Sequence, residues 1–246
     1  MSIECLVNAQ EIENAVITVS NHIENKDENR IFWFDFSEEQ LWCSLVSCIL
    51  GSRVRYETAN ACTFHLYQKG LLTPSNIILN PNKFEKSLAN ELSKPIFPPF
   101  NGNKGRRYQY SKSKSNYIVR TAIEIYQNNN TNLKGILMHC QNEYEARDIL
   151  REKAIGIGYK QASLFLRNIS YSENMAILDS HIIRYMVLLD MVENNANLRL
   201  SNRNDYIKLE NTLCEYAILN DKSISTLDIA IWVVMRLIQR EFIIWQ

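Results

Sequence analysis

The sequence contains few helix-breaking residues and no run long enough to cross a membrane. Its 246 residues include only 7 glycines and 5 prolines. The longest nearly uncharged apolar stretches, residues 41–51 and 229–235, are well short of the roughly 18 to 20 residues that a membrane span needs. The first ten residues show no basic region followed by an apolar run, so no secretory signal is visible. We therefore expect a globular cytoplasmic protein that does not bind membranes.

The sequence also lacks the cysteine spacing of a metal centre. No two of its cysteines form the close pairs typical of a zinc site or a redox-active turn. Nor do four of them cluster late in the chain, as the ligands of an iron–sulfur cluster would. We expect the cysteines to be reduced and mostly buried, and we predict no metal and no cofactor. The six cysteines are Cys5, Cys43, Cys48, Cys62, Cys140 and Cys214.

The net charge is zero, with 27 basic and 27 acidic residues. This balance argues against a nucleic-acid partner, because phosphate contacts usually come from a basic face. The charges are unevenly placed, however, since no Asp or Glu occurs between Glu91 and Glu124. This window is either a solvated loop or a phosphate-binding surface, for which Lys104, Arg106 and Arg107 are the candidate contacts. The cations of the window are Lys94, Lys104, Arg106, Arg107, Lys112, Lys114 and Arg120.

Hydrophobic periodicity predicts an all-α fold with ten or more helices. Apolar residues recur three and four positions apart in most of the chain, for example at Leu41, Leu45 and Ile49. The only candidate strand, residues 31–36, is short. It leads directly into the sequence SEEQ at residues 37–40, a capping-box pattern that predicts a helix starting at residue 38.

Glycine and proline mark the predicted boundaries in the first half of the chain. Gly70 closes one helix, Pro74 and Pro81 flank a short element, and a polar loop is predicted from Pro95 to about Asn116. We predict two helical lobes, with further helices from both ends of the chain packed on them. The predicted limits are 38–120 for the first lobe, 121–195 for a second lobe built on a helical hairpin, and 196–246 for the C-terminal helices.

The strongest local signal is a glycine-containing turn between two predicted helices. Residues 151–163 read REKAIGIGYKQAS, in which one helix ends, Gly156 and Gly158 mark a turn, and another helix begins. Glycine permits positive φ angles and close approach by another molecule, and the N–H groups at a helix start form an anion site suited to a phosphate. Such turns also serve as plain connections, so the pattern alone leaves both interpretations open.

Two ionisable residues near this turn have a chemistry that fits a lyase. Lys160 lies in the predicted first helical turn, where the positive end of the helix dipole disfavours an ammonium ion and favours a nucleophilic amine. Asp179 follows an apolar run at the start of another predicted helix, where it is either a helix cap or a carboxylate that assists the lysine. With the carboxylate as its assistant, the amine could attack an electrophilic carbon such as C1′ of a sugar.

These segments resemble the helix-hairpin-helix DNA glycosylases, and within them the archaeal-type 8-oxoguanine DNA glycosylase/lyases. The resemblance is close from about residue 133 to 186, and weaker matches extend it over most of the chain from residue 40 onward. The segments that carry it are 155–160, 162–163, 165–168 and 176–179. It implies a two-lobed helical fold, with Lys160 as the Schiff-base nucleophile and Asp179 as the carboxylate that activates it. The hairpin residues that it implies for DNA binding are Gly156, Gly158 and Tyr159.

The chain departs from this family where the family recognises the base. Ser180 stands where the family typically has arginine, and the chain continues to Gln246 without the terminal lysine that reads the oxidised purine. Trp232 and Trp245 are candidates to stack on an extruded base, although either is also consistent with plain core packing. We predict that Trp232, Trp245 and Gln246 form the base pocket.

The sequence therefore predicts a DNA N-glycosylase with lyase activity that acts on a modified base in double-stranded DNA, as a monomer. An oxidised purine such as 8-oxoguanine is the first choice. An alternative, motivated by the altered C-terminal end, is an antiphage glycosylase that excises a bulky pyrimidine such as glucosylated hydroxymethylcytosine. A further alternative is a non-catalytic helix-hairpin-helix module that only binds DNA.

Overall fold

The structure, a computed structural model, is helical throughout the part of the chain that it describes. That part comprises residues 8–24, 31–96, 107–127, 131–193 and 199–244, with side chains described up to residue 238. Within these ranges the chain forms twelve α-helices and no strand, and the one isolated bridge pairs Pro95 with Arg107. The all-α prediction is thus confirmed.

The chain divides into two compact units. We call Met1–Arg30 with Ser172–Gln246 the aspartate unit, since it contains Asp179, and Ile31–Tyr171 the lysine unit, since it contains Lys160. In the aspartate unit, α12 packs against each of the other three helices. The helices of this unit are α1 (Ala9–Glu24), α10 (Ser180–Leu188), α11 (Arg203–Leu219) and α12 (Ile224–Ile244).

The lysine unit is built around one helix, α2, whose residues Trp42, Leu45 and Ile49 are fully buried. This helix packs against α3, α6, α7 and α9, the last of which carries Lys160. The helices of the unit are α2 (Glu38–Leu50), α3 (Tyr56–Gln68), α4 (Pro74–Leu79), α5 (Pro81–Ser93), α6 (Ser111–Tyr126), α7 (Leu133–His139), α8 (Glu143–Lys153) and α9 (Tyr159–Asn168).

Local signals located several helix ends correctly. Ser37 caps α2 in a full capping box, in which its hydroxyl accepts the Gln40 N–H at 3.2 Å and the Gln40 side chain accepts the Ser37 N–H at 2.7 Å. Gly70 follows α3 with φ +66°, the left-handed conformation that glycine adopts without a steric penalty. The short element between Pro74 and Pro81 is α4.

Two expectations about the first half were wrong. The predicted polar loop to Asn116 ends earlier, because α6 begins at Ser111; its first turn carries no apolar residue, so periodicity gave no signal. The candidate strand at 31–36 is not a strand, because Trp33–Asp35 form a single 3-10 turn. The Phe32 and Phe34 rings stack at 5.6 Å and remain about half exposed.

The predicted lobe limits stay a prediction, although position 120, the predicted end of the first lobe, falls inside α6.

None of the helices described is long and apolar enough to cross a membrane. Across the same residues, no group of three or more His, Cys, Asp or Glu side chains is placed to hold a metal ion.

Candidate functional site

The predicted hairpin joins α8 to α9 in the lysine unit. After α8 the chain turns through Gly156, whose φ of +80° is strained for any residue with a side chain. Gly158 is the N-cap residue of α9, with an extended backbone of φ −104° and ψ −176°. A Cβ atom at Gly158 would meet only the Gln161 side chain, at 4.0 Å. The turn therefore requires glycine at 156, whereas space and backbone conformation do not require it at 158.

Helix α6 holds the hairpin in place. The Ile155 N–H donates to the hydroxyl of the fully buried Thr121, at 2.9 Å. The Tyr117 ring lies so close to Gly156 that a Cβ there would be 2.3 Å from its Cδ2 atom. The hydroxyl and the ring together fix the turn against α6 before any ligand binds.

Lys160 lies in the first turn of α9, as predicted from the sequence. Gly158, the N-cap residue of this helix, has no side chain with which to cap the helix start. The lysine is half-buried and near enough to Cys48 of α2 for its charge to favour the thiolate. Burial outweighs that effect and raises the pKa of the Cys48 thiol to about 12, so this cysteine is an inert neighbour.

The end of α2 beside Cys48 is fixed by two buried donors. Lys114 donates to the Ile49 carbonyl and Tyr108 to the Leu50 carbonyl, both at 2.6 Å. Burial, together with the charge of Arg53, lowers the pKa of Lys114 to about 8. Only 5% of Lys114 is exposed, so this cation of the acid-free window is not available to a phosphate at the surface.

The other cations of that window divide into three groups. Arg107, Lys112 and Arg120 are exposed. Lys94 forms an ion pair with Glu91, which neutralises its charge locally. Lys104 and Arg106, two of the three DNA contacts predicted within this window, lie outside the described residues.

Tyr159 points its side chain into the protein. Its ring is 3% exposed and lies under two guanidinium groups, Arg151 at 4.6 Å and Arg147 at 5.8 Å. Any contact of this residue with DNA therefore comes from its backbone.

In the aspartate unit, Asp179 is the N-cap of α10, which confirms that it is a helix cap; its catalytic role stays a prediction. Its Oδ1 atom accepts the N–H groups of His181 at 2.8 Å and Ile182 at 3.0 Å. Both capping bonds go to Oδ1, so Oδ2 takes part in neither. The carboxylate is half-buried and held by the helix start, with one oxygen outside the cap.

The three residues before Asp179 are held by buried side chains of α11 and α12. The Ala176 N–H donates to Glu210 at 3.0 Å, and the Ile177 N–H donates to Asp228 at 2.6 Å. The Tyr206 hydroxyl accepts the Leu178 N–H at 3.3 Å and donates to the Ala176 carbonyl at 2.8 Å. Tyr206 and Glu210 are fully buried and Asp228 is 2% exposed.

Sequence reasoning missed these three side chains, although a weak signal was present. Asp228 interrupts the apolar run of α12, and Glu210 lies between Leu209 and Leu213, two buried residues of α11. Charged residues are rarely buried unless they have a hydrogen-bonding partner, so their positions indicated a buried partner. The sequence could not identify that partner, because 34 and 51 positions separate the bonded residues.

Trp232 lies in the same unit, one helical turn after Asp228 on α12. It is half-buried, and the Arg236 guanidinium lies 4.5 Å from the centre of its ring. The other residues predicted for the base pocket, Trp245 and Gln246, lie outside the described residues. Lys160 belongs to the lysine unit and Asp179 to the aspartate unit.

Comparison with known proteins identifies one family. The family model Ogg-HhH, 8-oxoguanine DNA glycosylase, matches residues 23–221. An 8-oxoguanine DNA glycosylase/AP lyase of Methanocaldococcus jannaschii is 38% identical over 104 residues, which are 41% of this chain and 47% of the relative. One of Saccharolobus solfataricus is 28% identical over 214 residues, 85% of this chain and 88% of the relative. The chain thus spans about half the length of the first of these relatives.

A solved structure shares the fold. It is the Methanocaldococcus jannaschii 8-oxoguanine glycosylase/lyase in complex with a 15mer DNA containing 8-oxoguanine, with a TM-score of 0.64 and 22% sequence identity. The alignment covers 91% of this chain and 88% of that structure. At this identity the likeness establishes the helical fold.

Proposed function

Because the chain belongs to the 8-oxoguanine DNA glycosylase family, we propose that it excises an oxidised purine, such as 8-oxoguanine, from double-stranded DNA and then cleaves the strand as an AP lyase. The observation that carries this proposal is Lys160 in the first turn of the helix that the glycine hairpin opens. The names of the relatives, 8-oxoguanine DNA glycosylase/AP lyase, support both activities.

The proposed reaction uses Lys160 as the nucleophile. Its neutral amine attacks C1′ of the flipped nucleotide, and the N-glycosidic bond breaks as the base leaves with the bonding electron pair and gains a proton. The sugar ring then opens, O4′ takes a proton, and a Schiff base remains between Nζ and C1′. Removal of a C2′ proton expels the 3′ phosphate, which cuts the strand by β-elimination.

Asp179 would act through its charge. In the proposed reaction it accepts a proton from the lysine and stabilises the positive charge that develops on the sugar as the base departs. The helix cap supports this role because it holds the carboxylate through Oδ1 and leaves Oδ2 for chemistry.

The hairpin is the proposed phosphate-binding element. Gly158 supplies no side-chain cap to α9, and a backbone phosphate bound at this helix start also meets the positive end of the helix dipole. Gly158 would then matter for the close approach of DNA, since the fold does not require glycine at that position. Exposed Arg107 and Lys112 add sequence-independent attraction, as Lys104 and Arg106 would.

The C-terminal end is the proposed base-recognition element. Trp232 offers an indole face to an extruded base, in the unit that also holds Asp179. Trp245 and Gln246 are proposed to complete the pocket. We further propose that the enzyme acts as a monomer, which sedimentation equilibrium with and without a DNA duplex tests.

The proposed chemistry is tested by borohydride trapping on a duplex containing 8-oxoguanine. The wild type is expected to become covalently linked to DNA, and Lys160→Gln is expected to lose both trapping and base release while it keeps binding. Lys83→Gln is the matched control, because Lys83 lies in the first turn of α5 and shares the helix-dipole environment. Trapping of Lys160→Gln at the wild-type level would refute the assignment. The same assay with glucosylated hydroxymethylcytosine tests the pyrimidine alternative.

A further inference from the structure

The segment before Asp179 has an unusual set of hydrogen bonds. Residues 176–178 belong to no helix or strand, yet each is at most 5% exposed. Buried N–H groups require acceptors, and here three consecutive amides are satisfied by three different side chains. The acceptors Tyr206, Glu210 and Asp228 thus replace the neighbouring strand that such a segment would otherwise need.

The acceptors come from two different helices. Successive N–H groups of an extended chain point in opposite directions. Helix α11 supplies the acceptors for residues 176 and 178, through two side chains one helical turn apart, whereas α12 supplies the acceptor for residue 177. A shift of the segment by one residue, or a rotation about its axis, would therefore leave buried N–H groups without acceptors.

This arrangement determines where the Asp179 carboxylate can lie. The hydrogen bonds of residues 176–178 fix the backbone that precedes Asp179. The capping bonds to the N–H groups of α10 fix its side chain. Displacement of a reacting group by about 1 Å can reduce a rate by about 10²-fold. We propose that Tyr206, Glu210 and Asp228 are positioning residues that hold Asp179 for base excision; this proposal rests on the function proposed above.

Tyr206→Phe tests the proposal with the smallest change, since it removes only the hydroxyl that bonds Ala176 and Leu178. Tyr216→Phe is the matched control: it removes a hydroxyl from the same helix, where the partners are Tyr185 and Glu13. Under single-turnover conditions on an 8-oxoguanine duplex, Tyr206→Phe is expected to slow base release by on the order of tenfold or more, with unchanged DNA affinity. Tyr216→Phe is expected to keep the wild-type rate. Equal rates for the two variants would overturn the proposal.

A double-mutant cycle separates positioning from general stability. If the Tyr206 hydroxyl acts through Asp179, then Tyr206→Phe has no further effect on the rate in an Asp179→Asn background. A residue that supports the fold in general would lower the rate by the same factor in both backgrounds. Equal factors would therefore also overturn the proposal.

Hydrogen exchange distinguishes failure of this proposal from failure of the proposed function. Tyr206→Phe is expected to speed amide exchange at residues 176–182, including the amides capped by Asp179, whereas Tyr216→Phe leaves exchange there unchanged. Unchanged exchange in Tyr206→Phe would show, without any activity measurement, that the Tyr206 hydroxyl does not fix residues 176–178. A wild-type protein that releases no base from the duplex would instead refute the proposed function, and the exchange measurement would still decide whether the hydroxyl fixes the segment.

Discussion

Replacement of Gly156 by alanine is expected to destabilise the protein for two separable reasons. The φ of +80° is unfavourable for an L-residue by about 1 to 2 kcal/mol. The new Cβ would also lie 2.3 Å from Cδ2 and 2.6 Å from Cε2 of Tyr117, and overpacking of this kind costs about 1 to 3 kcal/mol. The expected loss in the free energy of unfolding is therefore about 2 to 5 kcal/mol, measured by urea denaturation.

The two causes separate in a Tyr117→Ala background, where the ring is absent. There Gly156→Ala should cost only the backbone part, about 1 to 2 kcal/mol, so the coupling between the two sites should be about 1 to 3 kcal/mol. Gly158→Ala is the control, since its Cβ has room and its φ is negative; its expected cost is within about 0.5 kcal/mol. The same cost for Gly156→Ala in both backgrounds would refute the steric explanation.

Three other predictions concern charge. Burial and the charge of Arg53 lower the pKa of Lys114 to about 8 in the folded protein, so between pH 8 and 10.5 the unfolded chain binds more protons than the folded one. As the pH rises through this range, the free energy of unfolding of the wild type, measured by urea denaturation, should therefore increase by up to about 3 kcal/mol relative to Lys114→Met. A difference between the two proteins that does not change with pH would contradict the lowered pKa. Replacement of Arg107 and Lys112 by serine should lower the log–log salt slope of DNA binding by up to about two, measured by fluorescence anisotropy; an unchanged slope would mean that they contact no phosphate. Asp179→Asn should keep the cap and the melting temperature but slow base release by about 10²-fold or more, and a folded variant with full activity would reduce Asp179 to a cap.

The parts of the fold that the sequence predicted depend on local interactions. The capping box at Ser37, the glycine after α3 and the start of α9 each involve residues within a few positions of one another, so their signals are contained in short windows. The start of α6 was missed for a related reason. Its first turn is polar, and the buried partner that stabilises Lys114 there is a carbonyl 65 positions earlier in the chain.

The candidate site shows the same division between local and distant interactions. Lys160, Asp179 and Gly156 were named from motifs, and the structure gives each the local geometry expected: a helix start, a cap and a left-handed turn. Their surroundings could not be named. Thr121 and Tyr117 support the hairpin from another helix, and Thr121 lies 34 positions from the residue that it binds, so no local pattern could pair them with the turn.

The way the two units divide the chain has a consequence for biosynthesis. The lysine unit is one continuous segment, 31–171, whereas the aspartate unit combines residues from both sides of it, with α1 packed on α12. During translation the hairpin that carries Lys160 can fold as soon as its own segment leaves the ribosome, but α1 must wait for the last helix. Ribosomes stalled shortly before residue 224, where the whole lysine unit has left the ribosome but α12 is not yet made, should therefore carry chains with a protease-resistant lysine unit and an unprotected α1.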